Sequence, residues 1–124
     1  MTMMSAIPAL PVRDKARAVA FYRERLGFAS KGDNHTLGIM VRDEVEIHLW
    51  EANDPQAPGA EPQLAGSASC RVRVAGLQAL YDEYRGAGVV HPHGALRLQW
   101  WGDRDFTILD ADGNAIAFFE PAAP

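Results

Sequence analysis

The sequence repeats one order of predicted elements, and this repeat restricts the possible folds more than any other feature. A strand, a helix and three further strands are predicted over about residues 5–51, and the same order returns over 67–121. Neither half is long enough for an ordinary core of its own. The 124 residues are therefore predicted to form a single α+β domain, 1–124, in which residues 52–66 link two βαβββ modules.

The first module contains one helix with clear boundary signals at both ends. Asp14 is a typical N-cap residue, apolar residues follow at helical spacing up to Leu26, and Gly27 favours termination. Residues 7–12 contain two prolines, which places this short strand at a sheet edge or at a crossing between subunits. The later strands are predicted at 28–31, 36–41 and 45–50, with turns at 32–34 and 42–44.

The second module follows the same plan. Residues 69–74 alternate between polar and apolar types, and a helix of about three turns follows them. Gly88 ends this helix as Gly27 ends the first, and residues 89–90 with a hairpin around 112–114 complete the module. Aromatic residues at helical spacing are expected in the core or on a helix surface, and these are Phe21, Tyr22, Tyr81 and Tyr84.

Two adjacent tryptophans, Trp100 and Trp101, lie in a predicted loop before the final hairpin. An exposed indole is costly unless it packs against protein or binds a ligand. A loop residue has little reason to enter the core, so Trp101 in particular is predicted to bind a ligand. Phe106, in the first strand of the hairpin, is expected to be buried.

Composition and charge exclude several classes of protein. Hydrophobic residues make up 48% and charged residues 23% of the chain, which is typical of a globular protein, and no apolar run is long enough for a membrane span. The net charge of −4 argues against nucleic acid as a partner and mildly favours a cationic ligand. The single cysteine, Cys70, and the lack of an N-terminal signal pattern predict a cytoplasmic protein with a buried, unreactive thiol.

Several short motifs occur in an order that resembles one known superfamily. They are Pro8 to Asp14, Ala20-Phe21-Tyr22, Leu26-Gly27-Phe28, Gly76-Leu77 with Leu80-Tyr81, Trp101-Gly102 with Asp105-Phe106, and Asp110-Ala111-Asp112-Gly113-Asn114. The chain is similar to the vicinal oxygen chelate superfamily, and within it to the bleomycin resistance proteins. The resemblance implies mixed sheets that curl into open clefts, a homodimer, and an N-terminal strand that is exchanged between subunits near Pro8.

The resemblance also implies where a metal ion would be held. Enzymes of the superfamily carry His, Gln or Glu ligands at positions that correspond here to Ile7, His48, Ser69 and Ala117. One imidazole and one hydroxyl do not complete a divalent metal site, so the sequence predicts no metal, no other cofactor and no catalysis. A role for His48 as a lone ligand or base is left open. The other histidines, His35, His91 and His93, are predicted in loops.

Period-two alternation identifies the side chains that would line the clefts. If His48 faces inward, alternate residues of its strand and of the aligned strands also face inward, and their neighbours pack under the helices. The predicted ligand-binding residues are Glu46, His48, Trp50, Ser69, Arg71, Arg73 and Phe119, with Trp100, Trp101 and Gly102 at the mouth. They offer rings for stacking and charges for orientation, but no obvious nucleophile pair.

Two pairs of these residues have a second interpretation. Arg71 and Arg73 either contact the ligand or form ion pairs with nearby carboxylates. Trp50 and Phe119 either contact the ligand or pack at the dimer interface.

Two functions from different classes agree with this pattern. The first is a non-catalytic protein that confers antibiotic resistance by sequestering a bleomycin-type compound, or another planar aromatic natural product such as a mitomycin or an enediyne, in clefts at a homodimer interface. Two arginines in the cleft favour a ligand other than the cationic bleomycins. The second function is that of a metal-dependent glyoxalase- or dioxygenase-like enzyme that uses His48.

Overall fold

The computed structural model describes residues 1–33 and 37–122, which form two four-stranded sheets, each with one helix against it. The first module consists of β1 (Ala9–Val12), α1 (Lys15–Arg25), β2 (Ala29–Asp33), β3 (Leu37–Arg42) and β4 (Val45–Glu51). The second consists of β5 (Ser69–Arg73), α2 (Leu77–Gly86), β6 (Arg97–Leu98), β7 (Asp103–Leu109) and β8 (Ala115–Pro121). The spatial orders are β1-β4-β3-β2 and β5-β8-β7-β6, which confirms two equivalent βαβββ modules. None of the helices in these residues has the length and apolar character needed to cross a membrane.

Helix α1 begins and ends where the sequence predicts. The Asp14 carboxylate accepts a hydrogen bond from the Arg17 backbone N–H at 3.0 Å and so caps the helix. Tyr22 is fully buried, and α1 packs against β2, β3 and β4. Gly27 then adopts φ +74°, a left-handed conformation that glycine tolerates best, and Gly88 repeats it after α2 with φ +72°. The internal repeat therefore extends to the ends of both helices.

The period-two pattern of β4 separates the two faces of the first sheet. Ile47 and Leu49 are fully buried on the side that α1 covers, while Glu46 and His48 lie on the opposite, open face. Strand β1 runs parallel to β4 at the edge of the sheet. An edge position suits the missing N–H of Pro11, and it agrees with the prediction for this proline-containing strand.

The second sheet buries an aromatic cluster on its helix-covered side. Phe106 is 1% exposed and stacks on Phe118, with ring centroids 5.4 Å apart and an angle of 27° between the planes. Tyr84 of α2 lies 5.4 Å from Phe118 and 6.3 Å from Phe106. The prediction that Phe106 is buried is confirmed, and of the two places expected for Tyr84, the core or a helix surface, it takes the core.

Two predicted boundaries in the first module are wrong. Strand β1 begins at Ala9 rather than at residue 7, and Pro8 contributes only its carbonyl, which accepts a hydrogen bond from the His48 N–H at 3.0 Å. Strand β2 continues through residues 32 and 33, where a turn was predicted, because a bulge between Ser30 and Gly32 allows pairing to resume. The rest of that predicted turn (Asn34), the loop histidine His35 and the predicted start of β3 (Thr36) lie outside the described residues.

The edge of the second sheet also differs from the sequence prediction. Val90 forms only an isolated bridge to Ile108. The edge position is taken by β6, a two-residue strand that pairs with β7 and was not predicted. A strand this short has too few residues to show an alternating pattern.

The turn between β7 and β8 ties the two modules together through a buried polar network. Asp110 Oδ2 accepts hydrogen bonds from the Tyr22 hydroxyl at 2.8 Å and from Asn114 Nδ2 at 2.9 Å. Asn114 Nδ2 also donates to the Pro11 carbonyl at 2.9 Å, and its Oδ1 accepts from the Ala68 N–H at 3.0 Å. Burial, followed by the charge of Asp110, raises the pKa of Tyr22 well above its usual range. This network joins α1, β1 and the start of the second module.

The turn between β3 and β4 makes the corresponding contact with α2. Arg42 donates two hydrogen bonds to the Glu83 carboxylate, at 2.7 and 2.9 Å, and one to the Leu26 carbonyl at 2.8 Å. The Tyr84 hydroxyl donates to the same carbonyl at 2.7 Å, and burial raises the pKa of Tyr84 to about 12. The helix-covered sides of both sheets thus pack into one core. Their open faces lie on the outside of the molecule.

Candidate functional site

The open face of the first sheet carries a histidine–glutamate pair. His48 Nε2 lies 2.6 Å from Glu46 Oε2, and Lys31 Nζ lies 3.4 Å from Glu46 Oε1. The hydrogen bond with His48, supported by Lys31, lowers the pKa of Glu46. Trp50 is two residues after His48 on β4, so it lies on the same face, and it is partly exposed. Three of the predicted site residues therefore share this face.

The open face of the second sheet holds a cation between an aromatic ring and two carboxylates. The guanidinium carbon of Arg71 lies 4.5 Å from the centroid of the Phe119 ring. Its nitrogens are 3.7 Å from Asp103 Oδ2 and 4.0 Å from Asp105 Oδ2. Both separations exceed a hydrogen bond, so the contacts are electrostatic. Arg71 therefore lies near two carboxylates, and its contact with a ligand stays a prediction.

The loop before β7 places two indole rings beside this face. Trp100 is 91% exposed and Trp101 47%, and their rings are nearly perpendicular, with centroids 5.4 Å apart. Trp101 Nε1 donates a hydrogen bond to Asp103 Oδ2 at 3.0 Å. Gly102 has φ +99°, a conformation that favours glycine and lets the chain turn into β7. One indole is thus fixed next to a carboxylate, and the other projects into solvent.

The other two predicted site residues of β5 lie at the ends of the strand. Ser69 is exposed at its first position, opposite Ala115 of β8. Arg73 is exposed at its last position and lines a groove of about 500 Å³ beside α2. Val72 and Phe118 line the same groove, and their side chains belong to the helix-covered side of the sheet. Arg73 also lies opposite Phe119 in the register of β5 and β8, so it shares the open face with Arg71.

The positions that the resemblance implies for metal ligands do not assemble a donor set. Ile7 lies before β1, Ala117 has no donor atom, and His48 is paired with a glutamate. Within residues 1–33 and 37–122, no group of three or more His, Cys, Asp or Glu side chains is arranged to hold a metal ion. His91 and His93 are neighbours, but His91 Nδ1 accepts a hydrogen bond from the His93 backbone N–H at 2.9 Å. The described residues at the four implied positions do not fit a divalent metal site.

Cys70 offers no alternative chemistry. Its thiol is half-buried in β5, and burial raises its pKa above the ordinary value. A raised pKa leaves little thiolate at neutral pH, so the thiol is a poor nucleophile.

The predicted site residues fall into two groups on separate sheets. The first group is Glu46, His48 and Trp50, and the second is Arg71, Phe119, Trp100 and Trp101. In the described parts of the chain, no hydrogen bond or ion pair links one group to the other. A single chain therefore presents two open faces rather than one closed cleft.

Sequence reasoning missed Asp103 as a site residue and treated Asp105 only as a pairing partner. Asp103 and Asp105 alternate along β7 with residues that face the core, and this pattern could have placed them on the open face. The position of the Trp101 nitrogen over Asp103 could not be read from the pattern, because it depends on the loop conformation.

Comparison with known proteins identifies the family of this chain. Residues 6–118 match the family model of the Glyoxalase/Bleomycin resistance protein/Dioxygenase superfamily. The chain belongs to this superfamily. A bleomycin resistance protein of Geobacillus stearothermophilus is 41% identical over 128 residues, which cover 95% of this chain and 97% of the relative. A bleomycin resistance protein of Staphylococcus aureus matches to the same extent, with 41% identity and the same coverage of 95% and 97%.

Solved structures of superfamily members have the same architecture. A bleomycin resistance determinant encoded on the transposon Tn5 superposes with a TM-score of 0.77 at 28% identity, covering 98% of this chain and 100% of that one. A bleomycin-binding protein complexed with bleomycin gives a TM-score of 0.73 at 27% identity, with coverage of 95% and 98%. The fold predicted from the sequence motifs is confirmed.

Proposed function

We propose that this superfamily member confers resistance by binding an antibiotic of the bleomycin type without modifying it. The observation that carries the proposal is the exposed pair of indoles, Trp100 and Trp101, next to Asp103 on the open face of the second sheet. A planar ring can stack on an exposed indole, and an adjacent carboxylate favours a cation. The sequence relatives are bleomycin resistance proteins, which supports the same class of ligand.

The ion pairs of Arg71 bear on the electrostatic argument against a cationic ligand. Arg71 lies between Asp103 and Asp105, so its positive charge is outweighed by two negative ones. Arg73 and Arg97 lie opposite Phe119 and Asp105 in the strand register, so they stay close to this face. That two arginines favour a ligand other than a cationic bleomycin stays a prediction, which the titration panel tests.

A titration panel tests the choice of ligand. Purified protein is titrated by calorimetry, and by tryptophan fluorescence, with a bleomycin, a mitomycin and an enediyne. We expect saturable binding of bleomycin with a change in indole emission, because Trp100 and Trp101 lie on the binding face. If another compound saturates the protein and bleomycin does not, the proposed ligand is wrong and the proposed binding function remains.

Binding without catalysis predicts that the ligand is recovered unchanged. Bleomycin is incubated with a stoichiometric amount of protein and no added metal, and the released ligand is measured by mass spectrometry. The competing function is the metal-dependent enzyme, which the close contact between His48 Nε2 and Glu46 Oε2, at 2.6 Å on the open face of the first sheet, favours. A modified product formed with turnover, together with tightly bound stoichiometric metal, would establish the enzyme and refute sequestration.

We further propose a homodimer in which the N-terminal arm, residues 1–8, reaches the second subunit with Pro8 as the hinge. The arm precedes β1 and is almost fully exposed, and its apolar Met3 and Met4 are 98% and 85% exposed. Exposed apolar side chains of this kind favour burial against a partner. Two separate open faces also favour a cleft built from both chains.

Sedimentation at micromolar concentration tests this assembly. We expect the full chain to sediment as a dimer, and a variant that lacks residues 2–7 to dissociate more readily. Substituting Thr2 alone by Ala would leave the arm in place and serves as the control. A full chain that sediments as a monomer would refute the dimer and the two-chain cleft together.

A further inference from the structure

Two arginines of this chain bind carboxylates in different ways. Arg42 meets Glu83 with two short hydrogen bonds of 2.7 and 2.9 Å, which is the bidentate geometry that suits a planar guanidinium. Arg71 comes no closer than 3.7 Å to a carboxylate oxygen, although two carboxylates flank it, and its side chain is 47% exposed. Arg42 is fixed in place. Arg71 is loosely held and can move into solvent.

The groups around Arg71 are fixed by contacts that do not involve Arg71. Asp103 Oδ2 accepts a hydrogen bond from Trp101 Nε1 at 3.0 Å, and Asp105 Oδ1 accepts one from Gln99 Nε2 at 2.8 Å. The side chains of Asp103 and Asp105 are only 23% and 12% exposed. The two carboxylates would therefore keep their positions if the guanidinium left.

The arrangement that Arg71 occupies has the chemistry of a ligand site. A flat cation lies over the Phe119 ring, with the guanidinium carbon 4.5 Å from the centroid, and negative oxygens flank its edge. Any flat cation of similar size would meet the same ring and the same oxygens. A round ammonium group would meet the charges but would not match the planar stack.

We propose that Phe119, Asp103 and Asp105 form a subsite for a flat cationic group of the guanidinium or amidinium class, and that Arg71 fills this subsite until a ligand displaces it. The proposal rests on the proposed binding function, because it assigns a part of the same open face. Displacement involves no covalent step: the ligand cation takes the place over the ring, and Arg71 turns outward and is hydrated.

An internal occupant of this kind weakens every ligand that enters the subsite. The apparent affinity is the intrinsic affinity multiplied by the fraction of molecules in which the subsite is open. A ligand that carries a flat cation recovers the ring and the carboxylate contacts, whereas a neutral ligand of the same shape recovers only part of them. The ring and the carboxylates thereby favour flat cations over neutral aromatic compounds, and Arg71 sets how strongly a ligand must bind to enter.

A small flat cation tests the subsite directly. The probe is benzamidine, an aryl amidinium, and its neutral isostere benzamide is measured in parallel by NMR shifts of the backbone amides of 117–119. In Arg71→Met the stem of the side chain remains but the charge is lost. We expect this variant to bind benzamidine about tenfold more tightly than the parent chain, and benzamide more tightly as well, because both enter a subsite that Arg71 no longer fills.

The chain offers a matched control in Arg85. This residue also lies over an aromatic ring, with its guanidinium carbon 5.4 Å from the centroid of Tyr81, and beside one carboxylate, 3.7 Å from Asp82. It lies on α2, away from the open face. Arg85→Met therefore removes the same kind of contact, and we expect benzamidine binding to stay at the parent value.

The outcomes separate this proposal from its alternatives. Weaker or unchanged benzamidine binding in Arg71→Met would show that Arg71 does not obstruct the subsite, and a gain for benzamidine with benzamide unchanged would show that Arg71 only neutralises the aspartates; any of these results overturns the proposal. Phe119→Leu should lose benzamidine binding with Arg71 present or absent.

If Arg71→Met does not fold, Arg71→Lys, which keeps the charge but not the flat fork, should give an intermediate gain, and no gain would refute the subsite. Bleomycin titration of the parent chain is scored separately, so that the binding function and the subsite can fail independently.

Discussion

The contact between the two modules and the open faces of the two sheets use the same kinds of side chain in opposite ways. Between the modules, Tyr22 is fully buried and its hydroxyl is bonded to Asp110. On the open face, Trp101 is 47% exposed although its nitrogen is bonded to Asp103. Removing the partner of a buried polar group lowers the free energy of unfolding, because the group then lies in the core without a hydrogen bond. An exposed group that loses its partner forms a hydrogen bond with water instead. Stability is therefore expected to depend on the first region and ligand binding on the second.

The largest effect is expected from Phe106→Ala, which tests whether stability depends on the buried core. Phe106 is 1% exposed and stacks on Phe118, so truncation leaves a cavity in the core. We expect the free energy of unfolding to fall by about 3–5 kcal/mol, measured by urea denaturation. Leu98→Ala, on the exposed edge strand, is the control and should change it little. A similar loss in both variants would contradict the division between the regions.

Trp101→Ala tests the binding side. Loss of the ring removes stacking and buried area on the ligand, and we expect the affinity for the best ligand of the panel to fall by roughly one to three decades. The melting temperature should hardly change, because the indole lies in a loop outside the core. Trp101→Phe should recover part of the binding, since a flat ring remains. Unaltered affinity in a folded Trp101→Ala protein, measured by calorimetry, would show that the ligand binds elsewhere.

Asn114→Ala sharpens the comparison within the contact between modules. The substitution removes the donor to the Pro11 carbonyl and the acceptor for the Ala68 N–H, and it leaves buried backbone groups without partners. We expect a loss of about 1–3 kcal/mol in the free energy of unfolding with unchanged ligand affinity once the protein is folded. Asn53→Ala, whose amide makes one long exposed contact of 3.4 Å, is the matched control. Equal melting temperatures for the two variants would refute a stabilising role for the network.

The smallest effect concerns the pH dependence of the Arg42–Glu83 pair. The hydrogen bonds from Arg42 lower the pKa of Glu83 from its ordinary value of 4.5, so the folded state binds this proton less readily than the unfolded state. The pair therefore stabilises the fold above about pH 4.5, and this contribution is lost as the pH falls through the lower folded-state pKa.

Glu83→Gln measures that contribution. The Glu83 side chain is 46% exposed, so we expect a difference of under about 1 kcal/mol from the parent chain at pH 7. Thermal melts of both proteins between pH 7 and pH 3 should converge toward acid. A difference that widens with acidification would contradict the sign of the shift.

Much of the fold and part of the site could be predicted from local sequence signals. The N-cap at Asp14 and the glycine after α1 are set by backbone chemistry within a few residues, and the structure has both. Alternation along β4 placed Glu46 and His48 together on the open face. Short elements without a pattern were missed, as β6 was, and the bulge that extends β2 gave no signal.

The sequence by itself determined the repeat, the two helices and which side of each strand faces the core, because each of these depends on neighbours within one or two turns of chain. The tertiary structure alone decided that Tyr22 would meet Asp110, a residue 88 positions away, and that Arg71 would lie over Phe119 between two aspartates. These contacts depend on how β8 lies between β5 and β7 and on how the modules pack. Distant pairing of this kind is fixed by the burial of the whole core, and no local pattern encodes it.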